Sequence, residues 1–429
     1  MLNELKTYTI YQVYVRNYTE EGTFKALTNK LDYIKDLGVK FIQLLPINEI
    51  GFYGRKGTLG SPYAIKDYYA INHELGTLDD FKELITEAHK RNLKIMMDVV
   101  FNHTSRDSVL LEEHPEFYYI NKNGDYANHF GNWDDVYDLD YSCEGLIPYI
   151  YKVLEYYTIL GVDGYRFDVA SLLPSKLYQY VFPKLKNINK NLVFLGEAVH
   201  PSFTSYIREH NGNAISDCEL FLDGFDLLYR YSNFEYFQKY LETKNKMYLD
   251  FYRETINLEN AINPFDAIKI GTFENHDQPR IISYTNYDPL RQNIIALSFF
   301  LKGTGFIYGG EESKDFKRPS LFDKDLISLN IIDTNYFMFI KKMIELKSDI
   351  KNLDLIQTNS YELDKPALLL KNVYKDGSFI YGLINMSENP VIIKSKELLD
   401  GIYTNLINGE NYIVKNNTIK INKPLFLKN

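Results

Sequence analysis

Arg166 and Asp168, two apart in GYRFDVA, set a cation beside a carboxylate. On a strand, side chains at i and i+2 point to one face, so both are expected to look the same way, the guanidinium keeping Asp168 ionised. A structural ion pair at a strand end would use the same two residues. Glu197 closes FLGEA, an almost wholly apolar run, after Gly196. Desolvation there raises a carboxyl pKa, as a general acid requires, although a helix N-cap or loop carboxylate would also stand there. Asp277 follows His276 in FENHD, and DVVFNH carries Asp98, Asn102 and His103. One ionised carboxylate, one protonated carboxyl and a third acid suit glycoside cleavage with net retention. The first attacks the anomeric carbon while the second protonates the departing oxygen, provided they lie about 5 Å apart. The third acid would stabilise positive charge on the ring and, by repulsion, help hold the proton on Glu197.

These residues need a scaffold that brings distant segments to one place. Strand-like runs occur at Thr9–Val15, Val39–Leu45, Leu93–Val100, Gly164–Ala170, Val193–Leu195, Cys218–Leu222, Ala267–Phe273 and Gly305–Tyr308. Helical spacing marks Phe24–Leu37, Leu78–Arg91, Leu146–Leu160, Leu177–Leu185, Phe234–Ile256, Arg291–Leu301 and Tyr336–Leu346 between or after them. Eight continuous apolar strands, most followed by a helix, predict a closed (β/α)8 TIM barrel of α/β class, with an open doubly wound sheet as the alternative. In such a barrel reactive groups gather at the carboxyl ends of the strands, where all four acidic motifs fall. Residues 102–142 form a polar and aromatic excursion too long for an ordinary βα loop, read as a short inserted domain after strand 3. It holds His114, Tyr118, Tyr119 and Trp133, which suit either a cleft lining or a small core. The barrel is assigned to residues 1–101 and 143–350. From 351 to 429, short β-branched runs between Asn, Gly, Lys and Asp turns predict a C-terminal antiparallel β-sandwich.

Composition narrows the partners. The 429 residues carry 48 Lys and Arg against 57 Asp and Glu, a net charge of -9, which argues against a grip on nucleic acid or an anionic membrane. Tyr (37) and Phe (27) are abundant, which suits sugar rings as well as ordinary packing. Two cysteines 75 residues apart make neither a zinc spacing nor a disulfide framework. Charges at Glu4 and Lys6 interrupt the apolar run of a secretion signal, so a cytoplasmic location is expected.

Taken in order, DVVFNH, GYRFDVA, FLGEA and FENHD resemble the four signature segments of the α-amylase family, glycoside hydrolase family thirteen. GVKFIQLLP, SPYAIKDYYAINHELGT, DLD at Asp138–Asp140 and GTGFIYGGEE extend the resemblance over residues 9 to about 348. It implies an eight-stranded barrel with an insertion after strand 3 and a C-terminal β-sandwich. It makes Asp168 the nucleophile, Glu197 the general acid and then base, and Asp277 the transition-state stabiliser. Arg166 would orient the nucleophile, His103 and His276 would hydrogen-bond the sugar, and Tyr63 would stack on it.

The sequence also departs from the family's commonest calcium-dependent members. Those carry a Lys-His pair after the nucleophile segment, where this chain has Ala170, Ser171 and Leu172. Asn102 and Asp138 resemble two other ligands, too few to infer a hard cation that takes six to eight oxygens, so no cofactor is expected to be required and calcium stays open but doubtful. The expected function is a retaining hydrolase of α-1,4-linked maltodextrin or starch-type substrates. An α-glucosidase or 4-α-glucanotransferase would use the same three acids, and HDQPR is similar to α-glucosidase relatives. A non-catalytic carbohydrate-binding barrel is the alternative of another class. A metal-dependent hydrolase built on Asp98, His103 and His276 lacks the paired ligand spacings such sites use.

Overall fold

The barrel strands are β1 (Thr9–Val13), β2 (Phe41–Leu44), β3 (Lys94–Val99), β4 (Gly164–Phe167), β5 (Val193–Gly196), β6 (Leu227–Tyr229), β7 (Lys269–Gly271) and β8 (Thr304–Tyr308). In the computed structural model, which describes residues 2–131 and 133–429, they close in the order β1-β8-β7-β6-β5-β4-β3-β2. Every residue of these strands is buried except Lys94 at the start of β3, so they do not alternate; most positions are apolar, and Gln12, Gln43, Asp98, Arg166 and Lys269 are buried polar or charged exceptions.

Helices sit where start and stop signals lie. Thr77 and Asp80 form a reciprocal capping box at Leu78–Lys90, and Leu146–Leu160 ends at Gly161 with φ 106°. Three expectations fail, the first being the single helix over Phe24–Leu37, which is two, Phe24–Thr28 and Leu31–Leu37. Cys218–Leu222, taken as the sixth strand, belongs to a helix, Asp217–Leu222, because Ser216 and Glu219 form a second capping box. The sixth strand is Leu227–Tyr229, beyond the left-handed turn at Gly224. The single helix expected over Phe234–Ile256 is two, Phe234–Thr243 and Lys246–Ile262. They are separated by Lys244 at φ 56° and restarted by the Asn245 side chain, which accepts from Met247 N–H.

Within residues 102–142, His103–Ser105 pairs antiparallel with Val136–Asp138, and a short helix covers Val109–Glu113. Tyr118 is buried, its hydroxyl 2.7 Å from Thr104 Oγ1, so it packs the segment's own core.

The C-terminal strands are β9 (Leu355–Tyr361), β10 (Ala367–Tyr374), β11 (Phe379–Asn385), β12 (Val391–Lys394), β13 (Gly401–Asn405), β14 (Asn411–Val414), β15 (Thr418–Ile421) and β16 (Leu425–Lys428). Six form an antiparallel sheet in the order β9-β10-β11-β16-β13-β14, and β12 pairs with β15. Leu369, Tyr381 and Leu383 of the larger sheet share a core with Ile393 and Ile419 of the smaller one, as in a sandwich.

Contacts divide the chain into two compact units. One comprises the chain up to Ile10, Tyr229–Arg318 and Ser328–Asn429; the other comprises Tyr11–Leu228 and Pro319–Ile327. Among the described residues no helix is long and apolar enough to cross a membrane.

Candidate active site

Parallel register builds the first half of the site. Asp98 on β3 lies beside Arg166 on β4, and Arg166 lies beside Leu195 on β5. Arg166 is fully buried and forks among three carboxylates. Its Nη1 lies 2.9 Å from Asp98 Oδ1 and 2.8 Å from Asp168 Oδ1, and its Nη2 lies 2.9 Å from Glu197 Oε2. Burial works against the guanidinium's charge, but Asp98, Glu197 and Asp168 override it and hold its pKa well above the usual range. The expected sharing of one face by Arg166 and Asp168 is present, and the guanidinium's reach is wider than the sequence reading gave it.

Just beyond β4 the backbone turns sharply. Val169 adopts φ 39° and ψ 45°, a left-handed conformation that is uncommon for a β-branched residue, and its N–H donates to Glu197 Oε2 at 2.7 Å. This N–H and Arg166 both favour Glu197 as a carboxylate, where the sequence reading expected burial to keep it protonated. Nothing in the sequence announces the Val169 turn.

Tyr63 donates its hydroxyl to Asp98 Oδ2 at 2.9 Å, and its ring lies 5.9 Å from the Arg166 guanidinium carbon. Asp98 thus ties Tyr63 to Arg166, a part the sequence reading did not assign; the parallel register is the signal that reveals it. His103 is buried, with the Trp133 ring centroid 5.3 Å from its own. Burial lowers the His103 pKa, Asp138 and Asp135 opposing, so the ring is neutral near pH 7 and able both to donate and to accept.

In the other unit, Asp277 follows β7 with a partly exposed carboxylate, its Oδ2 3.0 Å from His276 Nε2. Asn275 Oδ1 accepts from the N–H groups of Asp277 (2.8 Å) and Gln278 (2.9 Å), which sets the turn, and Arg318 donates to the Asp277 carbonyl. Arg280 anchors this loop. It donates to Glu274 Oε1 and to the Gly309 carbonyl, both at 2.7 Å, and stacks 4.1 Å above the Tyr308 ring. Burial raises the Glu274 pKa and pushes Glu311 well above the carboxylate range, where the nearby Glu274 adds to the push. HDQPR contains Arg280, but nothing in that string identifies its partners.

The calcium of the family's common members does not fit the residues present. Asp138 Oδ1 accepts from the side-chain amides of Asn102 at 3.3 Å and Asn128 at 3.1 Å, and its Oδ2 accepts from His129 N–H at 2.7 Å. The Ser171 carbonyl accepts from Ile215 N–H at 2.8 Å. These oxygens already serve N–H donors instead of converging as a cation's cage requires.

Fold and motif order together define an α-amylase-type barrel. The family described as alpha amylase, catalytic domain, matches residues 12–352, and the chain belongs to this family of glycoside hydrolases. The chain is similar over its whole length to the solved structure of an alpha-amylase from Lactobacillus plantarum, with 34% identity, TM-score 0.92 and 100% of each chain covered. A noncanonic maltogenic alpha-amylase from Thermotoga neapolitana shows 28% identity and TM-score 0.85, with 99% of each chain covered. Trehalose-6-phosphate hydrolase of Bacillus subtilis is 26% identical over 402 residues, 76% of this chain and 68% of that protein.

Proposed function

We propose that this chain hydrolyses α-1,4-glucosidic bonds of maltodextrin and starch-type chains with retention, through a covalent glucosyl ester on Asp168. The observation that carries this reading is the Arg166 fork, with Asp168 and Glu197 on neighbouring nitrogens at 2.8 and 2.9 Å. Two carboxyls held by one guanidinium favour the ~5–5.5 Å separation of retaining pairs over the ~6.5–9.5 Å that admits water in inverting ones.

In the first step the Asp168 carboxylate attacks the anomeric carbon, the glycosidic C–O bond breaks, and Glu197 gives its proton to the departing oxygen. In the second, Glu197 takes a proton from water, the water oxygen attacks the same carbon, and the Asp168 ester bond breaks. The first step needs Glu197 protonated and the second needs it as a carboxylate, the form that Val169 N–H and the Arg166 charge favour. Asp277, at the end of β7, stabilises positive charge on the ring, and Tyr63, His103 and His276 hold the sugar.

The HDQPR segment supports a second reading, an α-glucosidase or 4-α-glucanotransferase, as does a relative named for hydrolysing a phosphorylated disaccharide. Incubation with a maltooligosaccharide series tests both. Internal cleavage supports the first reading, while stepwise glucose release or chain-length disproportionation supports the second. Proton NMR of the earliest product should show the α-anomer; a β-anomer would contradict retention in either case.

A further inference from the structure

A cavity of about 50 Å3 lies beside the barrel, where the helix Lys246–Ile262, the chain entering β7, the chain entering β8 and strand β9 meet within one compact unit. That is several times the ~10–15 Å3 a water needs and far below the ~300 Å3 of the smallest organic-ligand pockets, so it admits a small ion and no sugar ring. None of its lining residues belongs to the active site.

Its walls carry more positive than negative charge. Arg230, Lys269 and Lys302 line it against one carboxylate, Glu259. Glu259 accepts from Arg230 Nη1 and, at 3.2 Å, from Lys269 Nζ, so two cations share it. Lys302 Nζ instead donates to the Phe265 carbonyl at 2.8 Å. Burial, Lys6 and Arg230 together lower the Lys302 pKa to about 8, against the pull of Asp266 and Glu259.

Two polar atoms in the lining narrow the ligand. Arg230 is 8% exposed, and its buried Nε has no hydrogen-bond partner among the described residues. The buried Asn263 Oδ1 has none among them either. A donor and an acceptor left over in one positively charged cavity call for a ligand that is anionic and also carries an O–H. Inorganic phosphate at neutral pH is such an ion. Sulfate has no proton to give, and a phosphomonoester, with its second pKa near ~6, has largely lost its last one at pH 7. We propose that this cavity binds inorganic phosphate, its oxygens accepting from Arg230 Nε and Lys302 Nζ and its P–OH donating to Asn263 Oδ1. The contacts to the two cations are charge-assisted, and the site is independent of the reaction proposed above.

Isothermal titration of the whole chain with sodium phosphate, against sodium sulfate and glucose 6-phosphate at matched ionic strength and about pH 7.5, tests this. One phosphate should bind per chain, at least about tenfold tighter than sulfate or glucose 6-phosphate, a comparison that needs no variant. Lys302→Gln and Asn263→Leu should each weaken phosphate binding by about tenfold, the loss of one hydrogen bond to a charged group, while circular dichroism retains the parent fold. Absence of saturable phosphate binding, equal affinity for sulfate or for glucose 6-phosphate, or unchanged phosphate affinity in either variant would overturn the proposal.

Discussion

The backbone N–H of Val169 lies 2.7 Å from Glu197 Oε2, joining the turn after β4 to the acid at the end of β5. Val169 makes that contact from a left-handed conformation that costs an L residue ~1–2 kcal/mol. Val169→Gly is therefore expected to be no less stable than the parent, relief of the backbone offsetting the lost side chain. Turnover should fall about tenfold as the donor to Glu197 loosens. Thermal melts and kcat check both; a loss of more than ~2 kcal/mol would contradict the strain assignment.

Arg166 serves Asp98, Asp168 and Glu197 at once from two nitrogens of a rigid plane, a spread that the single nitrogen of an ammonium lacks. Arg166→Lys should lower kcat/KM by on the order of 10²-fold or more through misplacement of the acids. Arg166→Met leaves three carboxylates without their cation and should destabilise by ~3–5 kcal/mol. Urea unfolding and steady-state kinetics of the two variants separate the effects. Near-parent activity in Arg166→Lys would remove the fork from the account.

Because Asp138 is satisfied by N–H donors, a chelator should leave both activity and melting temperature unchanged. Loss of activity restored by calcium would contradict the geometry assigned to Asn102 and Asp138.

Lys347 provides a pH signature. Its buried ammonium donates to the carbonyls of Leu301 at 3.0 Å and Gly303 at 3.1 Å, and burial, with Arg230 adding, lowers its pKa to about 7. Unfolded, it titrates near ~10.4. Between about pH 7 and 10 the unfolded chain binds the extra proton, so stability from this group rises with pH, by at most ~1.4 kcal/mol per unit, and levels off below pH 7. Lys347→Met should be flatter than the parent over pH 7 to 9 in urea titrations. Identical slopes would contradict a depressed Lys347.

Much of this architecture is legible in the chain. Strands buried on both faces announce themselves as mostly apolar runs without alternation, and i, i+2 spacing sets Arg166 beside Asp168. The sixth strand was misplaced because Cys218–Leu222 is apolar enough for either state, and the capping box at Ser216 and Glu219 decides it. Leu227–Tyr229 is too short to stand out and forms by pairing with β5. The parts of the site that escape the sequence depend on register or on tertiary packing: Asp98 sharing Arg166, the left-handed Val169, and Arg280 gathering Glu274 and the Gly309 carbonyl.

The most direct test of the double displacement is to trap it. An activated fluoroglucosyl substrate that forms the ester faster than water clears it should add one sugar to the intact protein by mass spectrometry, and peptide mapping should place that sugar on Asp168. A label on Glu197, Asp98 or Asp277, or β-configured product with no label at all, would contradict the assignment of Asp168 as nucleophile.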